Sequence, residues 1–207
     1  SIYLVPKPVI EKKNYLIINW HNALLPAHKG RNAEVWAIYC GEEVTGVTWH
    51  VITEDIDAGE IISQREIQIS DKTTAMSLYR EQVLLGKALF TEFCEDLLKG
   101  RCKMVKQKES VASQMHFSKD IPNNGMIDWE WDISGISRFL RAMDYGSLLL
   151  MGKMRVKYGD IQYDFYRYSI KQAEEYVEAR VITFEEGKLI IKEENKIITL
   201  KGLQEIE

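Results

Sequence analysis

Runs of apolar residues divide the chain into a strand-rich first part, one long helix and a strand-rich end. The apolar run at 16–18 predicts a strand over 15–20, and a run of this kind is typical of a strand covered on both faces. A β-branched and aromatic stretch predicts a second strand over 44–52, and a third follows over 60–69. A polar loop over 53–59 separates these two strands.

The spacing of the next apolar residues predicts a helix from about Thr73 to Lys99. Asp71 is the candidate cap at its start, and Gly100 fits the position just past its end. One face of this helix is expected to pack into the core, and its apolar residues are Met76, Tyr79, Val83, Phe90, Phe93 and Leu97.

The last part of the chain has the pattern of a small β domain. Residues 101–125 are polar and irregular, which indicates a surface connector. An amphipathic helix capped by Asp132 follows, and then short strands separated by the turns EEG at 185–187 and EEN at 193–195. The expected domains are a catalytic core over 1–115, a connector with the amphipathic helix over 116–150, and a small antiparallel β domain over 151–207.

The composition is that of an ordinary globular protein of 207 residues, with 45% hydrophobic and 28% charged residues. A net charge of -4 lacks the basic character that nucleic-acid-binding proteins usually show, which weighs against a tRNA or DNA partner. No apolar run is long enough for a membrane span and no signal-peptide pattern follows Ser1, so we expect a cytoplasmic protein without a membrane partner. The three cysteines form no C-x-x-C pair and are expected to be reduced thiols.

Polar residues near the predicted strand ends are the candidates for chemistry. Asn19 and His21 end the first strand, where open sheets of parallel strands collect ligand-binding residues. His50 lies in the second strand, and Asp57 lies in the loop after it. An amide, an imidazole and a carboxylate could position a nucleophile, move its proton and stabilise an oxyanion. The spacing alone leaves open that Asn19 and His21 only bond loop backbone and that Asp57 with Gly59 only forms a turn.

Several motifs, in the right order, resemble the formyltransferase family that uses 10-formyltetrahydrofolate. In that family, a strand ends in N-x-H, an S-L-L-P loop and a basic Gly turn follow, and G-V-T leads to a D-x-G-x-I loop. The matching segments here are NWH at 19–21, LLP at 24–26, GVT at 46–48 and DAGEI at 57–61. Further along, NNGMIDW and ISRFLRAM are similar to the family's G-x-I-D-W segment and the helix after it, and the last hairpins are similar to the β barrel of methionyl-tRNA formyltransferase.

The resemblance implies an α/β fold, with a Rossmann-like formyltransferase core followed by a small antiparallel β domain. The first βα units of that core, with much of the donor pocket, have no match in this segment. It also implies 10-formyltetrahydrofolate as formyl donor and no metal. Asn19 would hydrogen-bond the oxyanion, His21 would assist it or handle the proton, and Asp57 would orient His21 and relay protons. The implied lining of the pterin pocket is Leu4, Val5, Val51, Thr53 and Asp55.

The acceptor implied by the resemblance is a primary amine. The KGRNA turn at 29–33 and the histidine after G-V-T are nearer to the amino-sugar members than to methionyl-tRNA formyltransferases. Lys29 and Arg31 suit the phosphates of a nucleotide diphosphate, although both could be solvated loop charges, and Asn32 and His50 are the other expected acceptor contacts. We therefore expect formyl transfer to a nucleotide-linked amino sugar. Methionyl-tRNA as acceptor, a non-catalytic folate- or nucleotide-binding module, and a homodimer stay open.

Overall fold

The computed structural model describes residues 5–12, 14–108 and 114–206. The chain divides into two units, of which the first comprises residues 1–37 and 42–120 and the second residues 38–41 and 121–207. The three-part division expected from the sequence stays a prediction beside this one. Within the described ranges, no helix combines the length and apolar character needed to cross a membrane.

The first unit is built on a sheet of three antiparallel strands. Its elements in chain order are α1 (Lys7–Ile10), β1 (Ile18–His21), β2 (Lys29–Gly30), α2 (Ala33–Tyr39), which extends into the second unit, β3 (Val44–Val51), β4 (Ile61–Gln68), α3 (Ala75–Leu98) and β5 (Met115–His116). The sheet order is β1-β3-β4, and β2 pairs with β5 in a separate parallel bridge. His21 therefore ends a strand of an antiparallel pair, which corrects the expectation of a parallel sheet at this point.

The first predicted strand is shorter and less buried than expected. It begins at Ile18, while Tyr15 and Leu16 are 68% and 50% exposed. Ile17 continues the pairing only through its carbonyl, which accepts from the N–H of Ile52 at 2.8 Å. An apolar run has no periodicity that would show how many of its faces are covered, so the prediction of burial on both faces was wrong.

The long helix α3 is confirmed, but its cap and its buried face differ from the prediction. Thr74, not Asp71, is the cap: its hydroxyl accepts from the N–H of Ser77 at 3.2 Å, and the Ser77 hydroxyl accepts from the N–H of Thr74 at 2.9 Å. This reciprocal pair satisfies two backbone donors at the helix start. The buried face consists of Ala75, Leu78, Gln82, Gly86, Leu89 and Phe93.

Two members of the predicted apolar stripe, Tyr79 and Phe90, are instead 42% and 39% exposed. Gln82 is fully buried because its Nε2 donates to the carbonyls of Asn22 at 2.8 Å and Gly46 at 3.2 Å. A paired glutamine can be buried at a tolerable cost in free energy, yet it reads as a surface residue in the sequence. The buried face of α3 therefore includes a polar residue, which obscured the apolar pattern in the sequence.

The second unit contains the C-terminal sheets. Its elements are α4 (Ile133–Ala142), β6 (Met154–Tyr158), β7 (Ile161–Phe165), β8 (Arg167–Glu185), β9 (Lys188–Lys201) and β10 (Gln204–Ile206). Three strands form a sheet in the order β10-β7-β6, and the long strands β8 and β9 form a hairpin, all antiparallel. The predicted cap of α4 is confirmed, because Asp132 Oδ1 accepts from the N–H of Gly135 at 2.6 Å.

One predicted turn in this unit is correct and the other is not. The turn at 185–187 joins β8 and β9, with Glu186 and Gly187 both in the left-handed region at φ 50° and 70°. The sequence EEN at 193–195 lies inside β9, where Glu194 has φ 51° and the pairing register with β8 shifts. A bulge and a turn use the same residue types, so the sequence pattern could not separate them.

Candidate active site

Asp57 is held in a strained loop between β3 and β4. Its backbone has φ 49°, and its side chain is only 10% exposed. Two residues after it, a Cβ on Gly59 would stand 1.9 Å from the carbonyl oxygen of Val51, so only glycine fits there. The N–H of Gly30, itself at φ 91°, donates to Asp57 Oδ2 at 2.8 Å. The backbone of this loop and of β2 thus fixes the carboxylate.

Two imidazoles flank this carboxylate, and one amide contacts the second imidazole. His21 Nδ1 lies 3.4 Å from Asp57 Oδ2, and His50 Nε2 lies 3.3 Å from Asp57 Oδ1. Asn19 Nδ2 lies 3.3 Å from His50 Nε2. The β1–β3 register explains the grouping, because Asn19 pairs directly with His50 across the two strands. The structure therefore brings together all three predicted catalytic residues, and it adds His50 to their cluster.

A backbone carbonyl determines which nitrogen of His21 carries hydrogen in the neutral ring. His21 Nε2 lies 2.8 Å from the carbonyl of His28. A carbonyl oxygen can only accept, so this nitrogen donates, and His21 Nδ1, the nitrogen beside Asp57, is the position at which a further proton can bind. His50 Nδ1 lies 3.0 Å from the carbonyl of Val51, so each nitrogen of His50 faces an oxygen.

Charges and burial set the protonation of the cluster. Burial acts to raise the pKa of Asp57, but the hydrogen bond from His50, the charge of His21 and the Gly30 N–H outweigh it and lower the pKa to about 2. Burial lowers the pKa of His21 below its ordinary value, and the Asp57 carboxylate opposes this only in part. Near neutral pH the site therefore holds an ionised Asp57 beside a neutral His21.

A cleft of about 980 Å³ borders the cluster, which is the size of a site for a small molecule or cofactor. Of the predicted donor-pocket residues, Val5, Thr53 and Asp55 line it, whereas Val51 does not. Leu4 lies outside the described residues. Of the predicted acceptor contacts, the cleft is lined by Arg31, Asn32 and His50 but not by Lys29.

The two remaining histidines, His28 and His116, had no role assigned from the sequence. They form a network that contacts His21 through the backbone of His28. His28 is 5% exposed, with Nε2 lying 2.6 Å from Glu42 Oε1 and Nδ1 lying 3.2 Å from His116 Nε2. Trp36 stacks on the imidazole of His116 at a centroid distance of 4.3 Å and an angle of 7°. Because the backbone of His28 supplies the carbonyl that His21 contacts, this network fixes the orientation of the His21 imidazole.

His116 also contacts the backbone at Gly30 and Arg31, next to the N–H that donates to Asp57. Its carbonyl accepts from the N–H of Arg31 at 2.9 Å and lies 2.2 Å from the position of a Cβ on Gly30. Burial, together with the charge of His28, lowers the pKa of His116 to about 4, although Asp120 acts in the opposite direction. His116 is therefore neutral at physiological pH. It lies in the segment predicted to be a surface connector, and no pattern in that segment pointed to it.

Comparisons with known proteins show what this chain is similar to. Residues 2–93 match the formyl transferase family, which confirms the predicted resemblance. A GDP-perosamine N-formyltransferase of Brucella melitensis is 31% identical over 140 residues, which are 68% of this chain and 52% of that protein. The bifunctional polymyxin resistance protein ArnA of Wigglesworthia glossinidia brevipalpis is 33% identical over 125 residues, which are 60% of this chain and 19% of that protein. The chain thus spans about half the length of the first relative and about a fifth of the second.

A solved structure also shares the fold. The crystal structure of the N-formyltransferase from Helicobacter canadensis, in complex with folinic acid and dTDP-3-aminofucose, matches with a TM-score of 0.71 at 22% identity. The match covers 92% of this chain and 66% of that chain. Together with the antiparallel C-terminal sheets, it confirms the predicted formyltransferase fold.

Proposed function

We propose that this protein transfers a formyl group from 10-formyltetrahydrofolate to the primary amine of a nucleotide-linked amino sugar. The observation that carries the proposal is the cluster of Asn19, His21 and Asp57 beside a cleft, within residues that match the formyl transferase family. The names of the relatives support a sugar acceptor, and the folinic acid in the Helicobacter canadensis complex supports a folate donor.

The reaction forms a bond between the acceptor nitrogen and the formyl carbon, breaks the bond from that carbon to N10 of the folate, and moves one proton from the acceptor nitrogen to N10. Negative charge develops on the formyl oxygen, and Asn19 Nδ2 is the donor for it. An amide suits this role because its N–H groups donate without any change of charge.

His21 is the group that handles the proton. Since burial keeps its pKa below the ordinary value, the ring is neutral near pH 7 and can accept a proton at Nδ1. The resulting imidazolium lies 3.4 Å from the Asp57 carboxylate, which is ionised and stabilises the added charge. His50 contacts the other oxygen of Asp57 and holds the carboxylate from that side.

Two groups of residues that line the cleft suit the two substrates. Val5, Thr53 and Asp55 line it, and we assign them to the pterin of the donor. Arg31 and Asn32 also line it, and a guanidinium matches the geometry of phosphate oxygens. We therefore assign the diphosphate of the nucleotide to Arg31.

The proposal is tested with the full-length protein, 10-formyltetrahydrofolate and a panel of GDP-, dTDP- and UDP-linked amino sugars, with the formylated product detected by mass spectrometry. Thermal stabilisation by folinic acid reports donor binding independently of turnover. Formylation of at least one amino sugar, together with stabilisation by folinic acid, supports the proposal. Stabilisation without transfer indicates a folate-binding module, and transfer to methionyl-tRNA alone contradicts the sugar acceptor.

A further inference from the structure

Gln107 holds the loop that carries Asp57. Its side-chain Nε2 donates to the carbonyls of Asp57 and Gly59, both at 2.8 Å. Next to it, Val105 forms an antiparallel bridge with Ile61 through two backbone hydrogen bonds of 2.8 and 2.9 Å. The segment around 105–107 therefore runs along the beginning of β4 and reaches back over the 57–59 loop.

The chemistry of the partners defines the orientation of this amide. Both partners are carbonyl oxygens, which can only accept, so only the NH₂ end of Gln107 can face them. Glutamate would place an oxygen against two carbonyls, and an apolar side chain would leave both acceptors without their donor. A neutral side chain with two N–H donors therefore fits this position.

These two hydrogen bonds matter because the backbone conformation of the loop is unfavourable by itself. Asp57 has φ 49°, a left-handed conformation that non-glycine residues adopt only when their surroundings hold them there. The Gly30 N–H fixes the carboxylate from one side, while Gln107 fixes the backbone carbonyl of the same residue from the other. Each of them restricts a different part of Asp57.

We propose that Gln107 is a positioning residue, which keeps the Asp57 carboxylate within reach of His21 and His50. Gln107 lies outside residues 2–93, so the catalytic geometry depends on a side chain beyond the part that matches the family. The catalytic consequence of this inference rests on the proposed function, but its structural consequence, the distance from Asp57 to His21, does not.

Gln107→Met tests the inference, because it keeps the length of the side chain, adds no charge and removes both donors. Gln107→Ala is the second variant, in case the thioether disturbs the loop. Lys108→Ala is the matched control, since Lys108 is the exposed neighbour of Gln107. All three are made in the full-length protein and checked by thermal unfolding.

The first readout is the pKa of His21, followed by NMR of the imidazole C–H groups, with resonances assigned by single substitution of the four histidines. Asp57 acts to raise the pKa of His21, so a carboxylate that moves away lowers that pKa further in Gln107→Met. The second readout is kinetic: we expect kcat to fall roughly 10- to 100-fold with KM for the acceptor little changed, because misplacement of a catalytic group mainly affects the transition state.

A lower His21 pKa in folded Gln107→Met, with Lys108→Ala unchanged, supports the inference even if no formyl transfer is found in the wild type. An unchanged His21 pKa in both Gln107 variants overturns it, whether or not their stability falls. If the wild type transfers no formyl group, the proposed function is contradicted. If the His21 pKa does not change in the Gln107 variants, the role of Gln107 is contradicted.

Discussion

Nε2 of His50 lies 3.3 Å from Oδ1 of Asp57, so one buried carboxylate has an imidazole beside each of its oxygens. From the sequence, His50 is expected to contact the acceptor, because it follows the G-V-T motif. Its side chain does border the cleft, yet it is only 2% exposed and is 3.3 Å from Asn19. His50 is therefore in a position to act on Asp57 as well as on a bound acceptor.

Two substitutions of His50 separate these roles. The amide of glutamine can place a nitrogen near the position of Nε2, whereas that of asparagine corresponds to Nδ1, so His50→Gln keeps a partner for Asp57 and His50→Asn does not. We expect kcat to fall more in His50→Asn than in His50→Gln, with KM for the acceptor similar in both. Steady-state kinetics with a nucleotide-linked amino sugar provides the measurement. An increase in KM alone, equal in the two variants, would instead indicate that His50 only binds the acceptor.

Asp57 also contributes to stability in a pH-dependent way. Its pKa is lowered from 3.8 to about 2, so the folded state favours the ionised form by about 2 kcal/mol. This contribution is complete above the unfolded pKa near 4 and is lost as the pH falls through the folded value near 2. We therefore expect the difference in unfolding free energy between wild type and Asp57→Asn to shrink as the pH falls from 5 to 3.

Urea unfolding at several pH values between 3 and 7 checks this prediction. Glu54→Gln is a suitable control, because Glu54 is an exposed carboxylate in the same loop and pairs only with Lys7 among the described contacts. A difference between wild type and Asp57→Asn that stays constant over this range would show that the carboxylate is not held in its ionised form.

Arg31 and Lys29 provide a matched pair of cations two residues apart. Arg31 lines the cleft and Lys29 does not, although the sequence assigned both to the diphosphate. We expect Arg31→Ala to raise KM for the nucleotide-linked sugar with little change in kcat, and Lys29→Ala to behave like the wild type. Equal effects of the two substitutions would favour a diffuse attraction of the phosphates over a specific contact.

The same kinetics at two salt concentrations distinguish the acceptors. A nucleotide diphosphate offers few phosphate contacts and a shallow salt dependence, whereas binding of a tRNA weakens steeply with salt because many counterions are released. A shallow dependence is the expected result. Efficient and steeply salt-dependent transfer to methionyl-tRNA would contradict it.

Sequence patterns located the elements well wherever burial followed apolar character. They failed where a polar residue is buried through its hydrogen bonds, as Gln82 is on α3, and where Glu194 bends a strand without ending it. In both cases the deciding partner lies on another element, so no local pattern contains the information.

In the candidate site, too, some residues could be found from the sequence and others only from the fold. Asn19, His21 and Asp57 were found because they belong to motifs with a fixed order and spacing. His28, Glu42, His116 and Gln107 support them through contacts that span 14 to 88 positions along the chain, and two of the four lie in a segment that reads as a polar connector. Only the fold shows that this segment reaches the loop that carries Asp57.

In the proposed mechanism, Asn19 and His21 act on the bond-making step, and the single-turnover rate of formyl transfer tests these roles most directly. The rate is measured with saturating 10-formyltetrahydrofolate and an amino sugar that the wild type accepts, in Asn19→Ala and His21→Asn. We expect this rate to fall about 10²-fold or more in each variant, with the stabilisation by folinic acid retained, because removal of a donor to a developing oxyanion has this cost elsewhere. A rate within about threefold of the wild type in either variant would contradict these roles. Removal of an oxyanion donor or a proton carrier is expected to cost far more than that.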